Sequence, residues 1–289
     1  MPGVLLSFIA AVVLCFGFLP SSYADSKFET VLPYTTGTRI TSNAPVNGGT
    51  RYGRIIRLQH SGTANGTLIA TYECWPSDFR FYKSTDDGFT WTQIAAPILS
   101  SIPNWVMKVE PDLFELPAAV GNLPAGTSLL GGNCRTNDFN VNSHRMEVWY
   151  STNQGTNWQF RGVADTATNQ GMWEPHLNLT SSGQLVCYYS DERFQSSGYN
   201  QLLGGRVSPD GGLTWGPEFY ACAIPDGSKR PGMAVTTKLP NGQYVMSYEG
   251  VGYGGWSQVY LKFSTDGTNW GSGPADLGTP LKTSSGAYL

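Results

Sequence analysis

The chain has 289 residues, of which 13% are charged, and its formal net charge is −3 at pH 7. Charge this sparse and slightly negative provides no basic surface, which excludes nucleic acid and anionic lipid as partners and favours a neutral polymer. The 35 glycines and the 13% share of aromatic residues are typical of a β protein rich in turns.

The chain begins with an apolar segment, VLLSFIAAVVLCFGFL at residues 4–19, which is followed by the small-residue site Ser22-Tyr23-Ala24. This order is typical of a secretory signal peptide that is cleaved after Ala24. An N-terminal membrane anchor is the alternative that the same apolar run allows. We expect residues 1–24 to be removed, and residues 25–289 to form one secreted, extracellular domain that acts as a monomer and does not associate with a membrane.

An eight-residue motif recurs along this domain at intervals of roughly 60 residues. Its copies are STDDGFTW (84–91), STNQGTNW (151–158), SPDGGLTW (208–215) and the shorter STDGTNW (264–270). Asp and Ser side chains hydrogen-bond local backbone groups, Gly supplies a positive φ and Trp packs beside the next strand, so the motif predicts a structural turn. The pattern is S-x-D-x-G-x-x-W, the Asp box or BNR repeat that is typical of sialidase-like propellers.

The intervals between the motifs contain strand-like segments with alternating β-branched and aromatic residues, and none shows a sustained helical period. The predicted strands of the first interval are RIIRLQH, GTLIATYE, FRFYKS and TQIAAP. The later ones are PDLFELP, TSLLGGN and MEVWYS, then EPHLNLT, QLVCYYS and LGGRVS, then MAVTTKL, QYVMSYE and QVYLKFS. Four-stranded antiparallel sheets repeated about an axis form a β-propeller, so the predicted fold is an all-β propeller with about four blades.

The strand directions predict which side chains share a face of the propeller. Each motif follows a third strand, whereas the starts of first strands and the ends of second strands meet at the opposite face. The polar residues at those positions are Arg54, Glu73, Glu110, Asn133, Arg135, Glu174, Asp191, Glu192, Arg193, Arg230 and Glu249, and the nearby tryptophans are Trp75, Trp105, Trp173 and Trp256. A mouth rich in carboxylates, with arginines and tryptophans, suits a pocket that cleaves sugars.

Two of these carboxylates are candidates for catalysis. Glycosidic cleavage needs one protonated acid at the leaving oxygen and one ionised carboxylate at the anomeric carbon. The predicted pair is Glu174 and Glu249, from adjacent blades, and the alternative is that either one only pairs with an arginine of the mouth. The predicted substrate-binding residues are Arg54, Glu73, Glu110, Trp173, Asp191 and Arg230. For the acidic members of this set, structural pairing is the alternative to substrate contact.

Metal and cofactor chemistry is not expected. The three histidines are scattered and have no ligand spacing; they are His60, His144 and His176. Neither a nucleophile elbow nor a Ser-His-Asp arrangement is recognisable.

Four cysteines remain after cleavage of the signal peptide, each in or beside a strand-like run. They are Cys74, Cys134, Cys187 and Cys222. Buried thiols and a single structural disulfide are both compatible with this pattern in an oxidising compartment, and the pairing stays open.

Four segments carry a resemblance to a known family. They are GRIIRLQ…NGTLIATYE, EPDLFELPAAVGNLPAGTSLLGGN, MWEPHLNLTSSGQLVCYYSDER and KRPGMAVTTKLPNGQYVMSYEG. The chain resembles the exo-1,5-α-L-arabinanases of glycoside hydrolase family 93, which are secreted six-bladed propellers. The resemblance implies that Glu174 and Glu249 match the catalytic pair of the family, one as nucleophile and one as general acid/base. It also implies a retaining mechanism that releases arabinobiose from the non-reducing end of α-1,5-linked arabinan.

The chain departs from this family in length. Only four blades fit, so we expect a chain truncated at the C-terminus, in which TPLKTSSGAYL (279–289) opens a further blade. Two other functions remain open. One is a non-catalytic carbohydrate-binding propeller, or an enzyme inactivated by its missing blades. The other is a sialidase-like enzyme, because Arg54 in GRIIRL occupies the place of the arginine in the R-I-P motif of sialidases.

Overall fold

A computed structural model describes residue 40 and residues 50–74, 78–96, 98, 100–136, 142–254 and 257–289. All strands described below belong to the unit Asn43–Leu289. The predicted signal peptide at residues 1–24, and the tryptophans Trp75 and Trp256, lie outside the described residues. Across the described ranges, no helix has the length and hydropathy that are needed to cross a bilayer.

Sixteen strands of the described chain form four antiparallel sheets of four strands each. Blade one contains β1 (Thr50–Arg57), β2 (Leu68–Cys74), β3 (Asp78–Ser84) and β4 (Thr92–Gln93). Blade two contains β5 (Trp105–Glu115), β6 (Ser128–Thr136), β7 (His144–Ser151) and β8 (Gln159–Ala167). Blade three contains β9 (Met172–Leu179), β10 (Leu185–Asp191), β11 (Leu202–Ser208) and β12 (Phe219–Cys222). Blade four contains β13 (Arg230–Lys238), β14 (Tyr244–Val251), β15 (Ser257–Ser264) and β16 (Thr279–Pro280).

Helical structure is confined, in the same ranges, to two short 3-10 turns at Gly62–Ala64 and Gln195–Ser197. In every sheet the strands pair in chain order, each with the next. The prediction of an all-β propeller built from four-stranded antiparallel blades is confirmed.

The blades stack in chain order through their first strands. β5 packs on the strands of blade one, β9 on those of blade two and β13 on those of blade three. A sheet between two neighbours is apolar on both faces, and β10 is accordingly buried at every position. On the face of blade four that turns away from blade three, Val235 and Phe263 remain exposed.

The last segment of the chain corrects one expectation. Residues 279–289 were expected to open a further blade, but Thr279 and Pro280 pair with Leu261 and Tyr260 of β15 as the outer strand of blade four. The Leu289 N–H then donates to the Leu281 carbonyl at 3.1 Å. The short strand and its return therefore complete a sheet, because the outer edge of β15 offers free backbone groups that these residues satisfy.

The repeated motif forms a turn that is closed by side chains. In the copy at 208–215, Ser208 Oγ accepts the Gly212 N–H at 2.7 Å and donates to Asp210 Oδ1 at 2.8 Å. The Asp210 carboxylate accepts the N–H of Thr214 at 2.9 Å and its hydroxyl at 2.5 Å. Desolvation raises the pKa of Asp210, but the hydrogen bonds from Thr214 and Ser208 outweigh it and leave the pKa at about 2. The motif is a structural turn, as the residue types predict.

Ser208→Ala is expected to lower the free energy of unfolding by about 1–2 kcal/mol, because it removes the acceptor of a buried backbone N–H. Ser208 is fully buried, so water cannot replace the lost hydroxyl. Urea denaturation of Ser208→Ala beside the exposed-site control Ser181→Ala measures this cost. Equal stability of the two variants would contradict a structural role for the motif serine.

Candidate functional site

The first strand of every blade contains a bulge at the same place. The strand registers shift there, and one residue of each bulge has a left-handed backbone. These residues are Tyr52 (φ 45°), Glu110 (φ 58°), Glu174 (φ 51°) and Met233 (φ 56°). A non-glycine residue pays about 1–3 kcal/mol for such a conformation, and residues of this kind concentrate at functional sites. The bulges re-aim four equivalent side chains towards the mouth of the propeller.

Three of these bulges contribute to a pocket with a cavity volume of about 180 Å³. The pocket lies between blades two, three and four, and its lining is mostly polar. The lining residues are Glu110, Trp173, Glu174, Glu192, Gln201, Arg230, Gly232, Met233, Glu249 and Val251. Five of the predicted site residues therefore meet in one place: Glu110, Trp173, Glu174, Arg230 and Glu249.

Glu174 lies at the centre of the hydrogen bonding in this pocket. Its Oε2 accepts the Ser190 hydroxyl at 2.5 Å, and Ser190 Oγ accepts the Met233 N–H at 3.2 Å. Burial raises the pKa of the Glu174 carboxyl above its ordinary value, the hydrogen bonds from Ser190 and Met233 oppose this rise, and the charge of Glu249 adds to it. Glu174 is thus a partly buried acid whose pKa is raised in part by the charge of a second carboxylate.

Glu249 provides that second carboxylate from β14 of the next blade. Its side chain is half-buried, and Oε1 accepts the Ser257 hydroxyl at 2.7 Å. Glu174 and Glu249 thus come from adjacent blades, accept different serine hydroxyls and share one pocket, which gives the two carboxyl groups different surroundings.

Arg230 is held in place at the edge of the pocket. One guanidinium nitrogen, Nη2, donates to Glu192 Oε1 at 2.8 Å and to Gln201 Oε1 at 2.7 Å, while Nη1 donates to Asn200 Oδ1 at 3.1 Å. The arginine side chain remains 35% exposed, so part of it faces the pocket with its orientation already fixed. A fixed donor of this kind suits recognition of a neutral sugar hydroxyl.

Trp173 forms an aromatic wall of the same pocket. Its ring meets His144 edge-on, with the ring centroids 4.4 Å apart, and the Arg135 guanidinium lies 5.8 Å from the centre of the indole. Burial, followed by the charge of Arg135, lowers the pKa of His144 to about 3. His144 is therefore a neutral packing partner for the tryptophan.

Three predicted substrate-binding residues do not line this pocket. Arg54 Nε lies 3.5 Å from Asp112 Oδ1, and Glu73 is 4% exposed and influences Tyr52 and Glu110 electrostatically. Asp191 is fully buried and accepts the Arg193 guanidinium at 3.0 Å. The structural pairing that the sequence left open for the acidic residues describes Asp191. Arg54 is paired with Asp112 as well, which the sequence did not predict, and substrate contact by these three residues stays a prediction.

Arg193 belongs to an ion-pair cluster beside the pocket. It contacts three carboxylates, Asp191 at 2.8 Å, Asp165 at 2.9 Å and Glu218 at 2.5 Å. Because Asp191, Glu192 and Arg193 are consecutive, this cluster fixes the backbone that presents Glu192 to Arg230.

The cysteines described with their side chains are free thiols. Cys134, Cys187 and Cys222 are buried and unpaired with one another, and burial raises the pKa of each thiol. The side chain of Cys74 lies outside the described residues. The buried-thiol alternative therefore applies to these three.

Sequence reasoning missed two residues of the site, Tyr52 and Met233. Both occupy the left-handed bulge position of their strands, and Met233 lines the pocket. Burial raises the pKa of the Tyr52 phenol, and the charges of Glu110 and Glu174 raise it further, which places this phenol close to the acidic mouth. Alignment of RYGRI, VEPDL, WEPHL and GMAVT on the second residue would have identified the shared position.

Comparison with solved structures identifies relatives with this fold. The α-L-arabinanase of Penicillium chrysogenum, solved with arabinobiose, is 32% identical, with a TM-score of 0.73 over 83% of this chain and 68% of that one. The GH93 α-L-arabinofuranosidase of Fusarium graminearum, also solved with arabinobiose, is 28% identical, with a TM-score of 0.72 over the same shares of 83% and 68%. An endo-arabinase from Bacteroides thetaiotaomicron shares the fold at 13% identity, with a TM-score of 0.55 over 84% of this chain and 88% of that one. No family sequence model matches the chain, and neither does any curated protein sequence.

This fold and a polar pocket with several carboxylates, an arginine and a tryptophan, together with the similarity to these enzymes, define the protein as a glycoside hydrolase. The similarity to the Penicillium and Fusarium enzymes specifies the family further. The chain belongs to glycoside hydrolase family 93.

Proposed function

We propose that the protein is a secreted exo-acting hydrolase that releases arabinobiose from the non-reducing end of α-1,5-linked arabinan, with Glu174 and Glu249 as the catalytic carboxylates. The observation that carries this proposal is the presence of these two carboxyl groups, from different blades, in one pocket. The choice of substrate is supported by the two relatives that were solved with arabinobiose. Secretion is inferred from the apolar segment and cleavage site within residues 1–24.

The proposed reaction is a double displacement in which one glutamate is the nucleophile and the other is the acid/base. In the first step the nucleophile attacks the anomeric carbon, the glycosidic C–O bond breaks, and the acid transfers its proton to the leaving oxygen. In the second step the same acid/base, now ionised, takes a proton from water. The resulting hydroxide attacks the anomeric carbon and breaks the ester to the nucleophile, so configuration is retained and both carboxyls return to their starting states.

The remaining pocket residues fit the binding of a neutral sugar. Arg230, Glu192 and Gln201 present a preassembled set of donors and acceptors for hydroxyl groups. Trp173 offers an aromatic surface for the apolar face of a sugar ring. The pairing of Arg230 with Glu192 leaves no free cation for an anionic sugar there, which favours arabinan over a sialoside.

The proposal is tested by incubating the protein with linear α-1,5-arabinan and following the products and their anomeric configuration by NMR from the first turnovers. We expect arabinobiose from the earliest time points, released with retained configuration, and no hydrolysis of a sialoside. A ladder of longer oligosaccharides would contradict exo-action, and inverted product would contradict the double displacement. Binding of arabino-oligosaccharide without turnover would instead indicate a carbohydrate-binding propeller.

A further inference from the structure

Glu110 lines the pocket, but its carboxyl group is already committed to the protein. The residue is 7% exposed, and Oε2 accepts the backbone N–H of Glu174 at 2.7 Å and the Asn133 amide at 3.0 Å. The first of these bonds joins the bulge of blade two to the bulge of blade three. The donor of this bond is the N–H of Glu174, whose backbone is left-handed and whose side chain shares the pocket with Glu249.

Asn133 fixes the orientation of the Glu110 carboxyl. The Asn133 amide also donates to the Met172 carbonyl at 2.9 Å, and its Oδ1 lies 2.9 Å from His144 Nδ1. Asn133 and His144 are both fully buried. The Glu110 carboxyl is therefore held by a buried hydrogen-bond network.

We propose that Glu110 is a positioning residue, which holds the left-handed backbone of Glu174 through the carboxyl-to-amide bond and so aims the Glu174 carboxyl at the substrate. This role rests on the proposed function of Glu174. A residue in a left-handed conformation relaxes unless its surroundings restrain it. At the bulge the register of the strand pairing is broken between Trp173 and His176. The Glu110 carboxyl, and not the neighbouring strand, therefore accepts the N–H of Glu174 there.

The charges around Glu110 indicate that its carboxyl is neutral when the site is ready to react. The groups that face it are the carboxylates Glu174 and Glu73 and the phenol Tyr52, while Arg230 and Glu249 act on Glu174. In the described part of the chain no lysine or arginine forms an ion pair with Glu110. Burial, followed by the charge of Glu174, raises the pKa of Glu110, because a second carboxylate nearby disfavours the ionised form of a buried carboxyl.

A neutral Glu110 explains how the carboxyl groups of Glu110 and Glu174 can share the site. The Glu110 oxygen that accepts the Glu174 N–H keeps this bond in the protonated acid, because the proton resides on the other oxygen. Glu174 can then ionise without a second negative charge beside it. Glu110 thus restrains the backbone of Glu174 and does not compete for its proton.

Two variants separate positioning from charge. Glu110→Gln keeps a carbonyl acceptor and the neutral state, whereas Glu110→Ala removes the bond. We expect Glu110→Ala to lose about 100-fold in kcat with little change in KM, since misplacement of a reacting group by about 1 Å has an effect of this size. We expect Glu110→Gln to rescue most of that loss and to keep the acid limb of the pH profile in place. If the acid limb of the pH profile moved to lower pH in Glu110→Gln, the native Glu110 would be ionised. This result would overturn the proposal that Glu110 is neutral.

Infrared spectroscopy of the unliganded protein provides a readout that is independent of turnover. We expect a protonated-carboxyl band near neutral pH that loses intensity in Glu110→Gln, while the catalytic acid accounts for the part that remains. The matched control is Glu115→Gln, at the far end of the same strand, where the carboxylate accepts backbone N–H groups of Gln59 and His60 at 2.6 and 3.1 Å. The intensity of the band should be unchanged in the control, and an unchanged intensity in Glu110→Gln would overturn the assignment even if the protein did not hydrolyse arabinan.

The pH dependence of stability gives a second independent readout. A carboxyl whose pKa is raised on folding binds its proton more tightly in the native state, so stability falls as pH rises from the unfolded pKa through the folded one. Urea unfolding of the wild type should show this fall, and Glu110→Gln should show a smaller one. Equal slopes for the two proteins would contradict the neutral buried acid.

Discussion

Glu174→Gln and Glu249→Gln are each expected to reduce kcat on arabinan by about 10³-fold or more while the fold stays intact, because removal of a general acid/base alone costs about 10²–10⁴-fold. Each substitution keeps the size of the side chain and its capacity to accept the bonds seen here from Ser190 and Ser257. The matched control is Glu192→Gln, a carboxylate of the same pocket that pairs with Arg230. This control should raise KM more than it lowers kcat, and full activity in either catalytic variant would refute the proposed pair.

Azide rescue assigns the two roles. With an aryl arabinoside whose leaving group needs no proton, an alanine variant of the acid/base should still form the covalent intermediate, and azide should then give a glycosyl azide of retained configuration. An alanine variant of the nucleophile should give the inverted azide instead. Retained azide from both variants would mean that neither residue forms the covalent bond.

The sequence predicted the parts of this structure that follow from local chemistry. The repeated turn is specified by Ser208, Asp210 and Gly212 within a few residues of one another, and strand alternation is specified by side chains two apart. Together they determine the strand directions, which in turn predict that Glu174 and Glu249 share a face. Their position at one face follows from strand directions, whereas their meeting in one pocket is a result of the packing between blades.

The parts that sequence reasoning missed depend on distances between blades. The left-handed bulges at Tyr52 and Met233 oppose the backbone preference of those residue types, so no local rule predicts them. The ion-pair partner of each charged side chain was also undetermined, because the sequence places several carboxylates and arginines at the mouth of the propeller. Only the packed structure shows that Arg54 contacts Asp112.

The short strand at Thr279–Pro280 was missed for a related reason. Its two residues carry no alternation pattern, and the strand forms because β15 has an open edge beside it. Edge pairing of this kind is a property of the assembled sheet.

Asp112→Ala is expected to lower the free energy of unfolding by about 3 kcal/mol, because it leaves partners in blades one and three without their buried carboxylate. Asp112 is 4% exposed. Its Oδ2 accepts the N–H of Leu177 at 2.8 Å and lies 3.3 Å from His176 Nδ1, and its Oδ1 lies 3.5 Å from Arg54 Nε. At roughly 2–4 °C per kcal/mol for a protein of this size, Tm should fall by roughly 10 °C.

The matched comparison is Asp87→Ala, which removes an ion pair that is shorter but exposed. Arg57 Nη1 lies 2.6 Å from Asp87 Oδ1, yet these side chains are 42% and 63% exposed, against 34% and 6% for Arg54 and Asp112. Solvent screens the exposed pair and hydrates the arginine once its partner is gone, so Asp87→Ala should unfold at the wild-type urea concentration. If the two variants were equally destabilised, the length of the ion pair and not its burial would govern stability. If burial governs stability, the carboxylate of Asp112 holds the first strands of blades one, two and three together. Asp112 lies two residues beyond the bulge that presents Glu110 to Glu174.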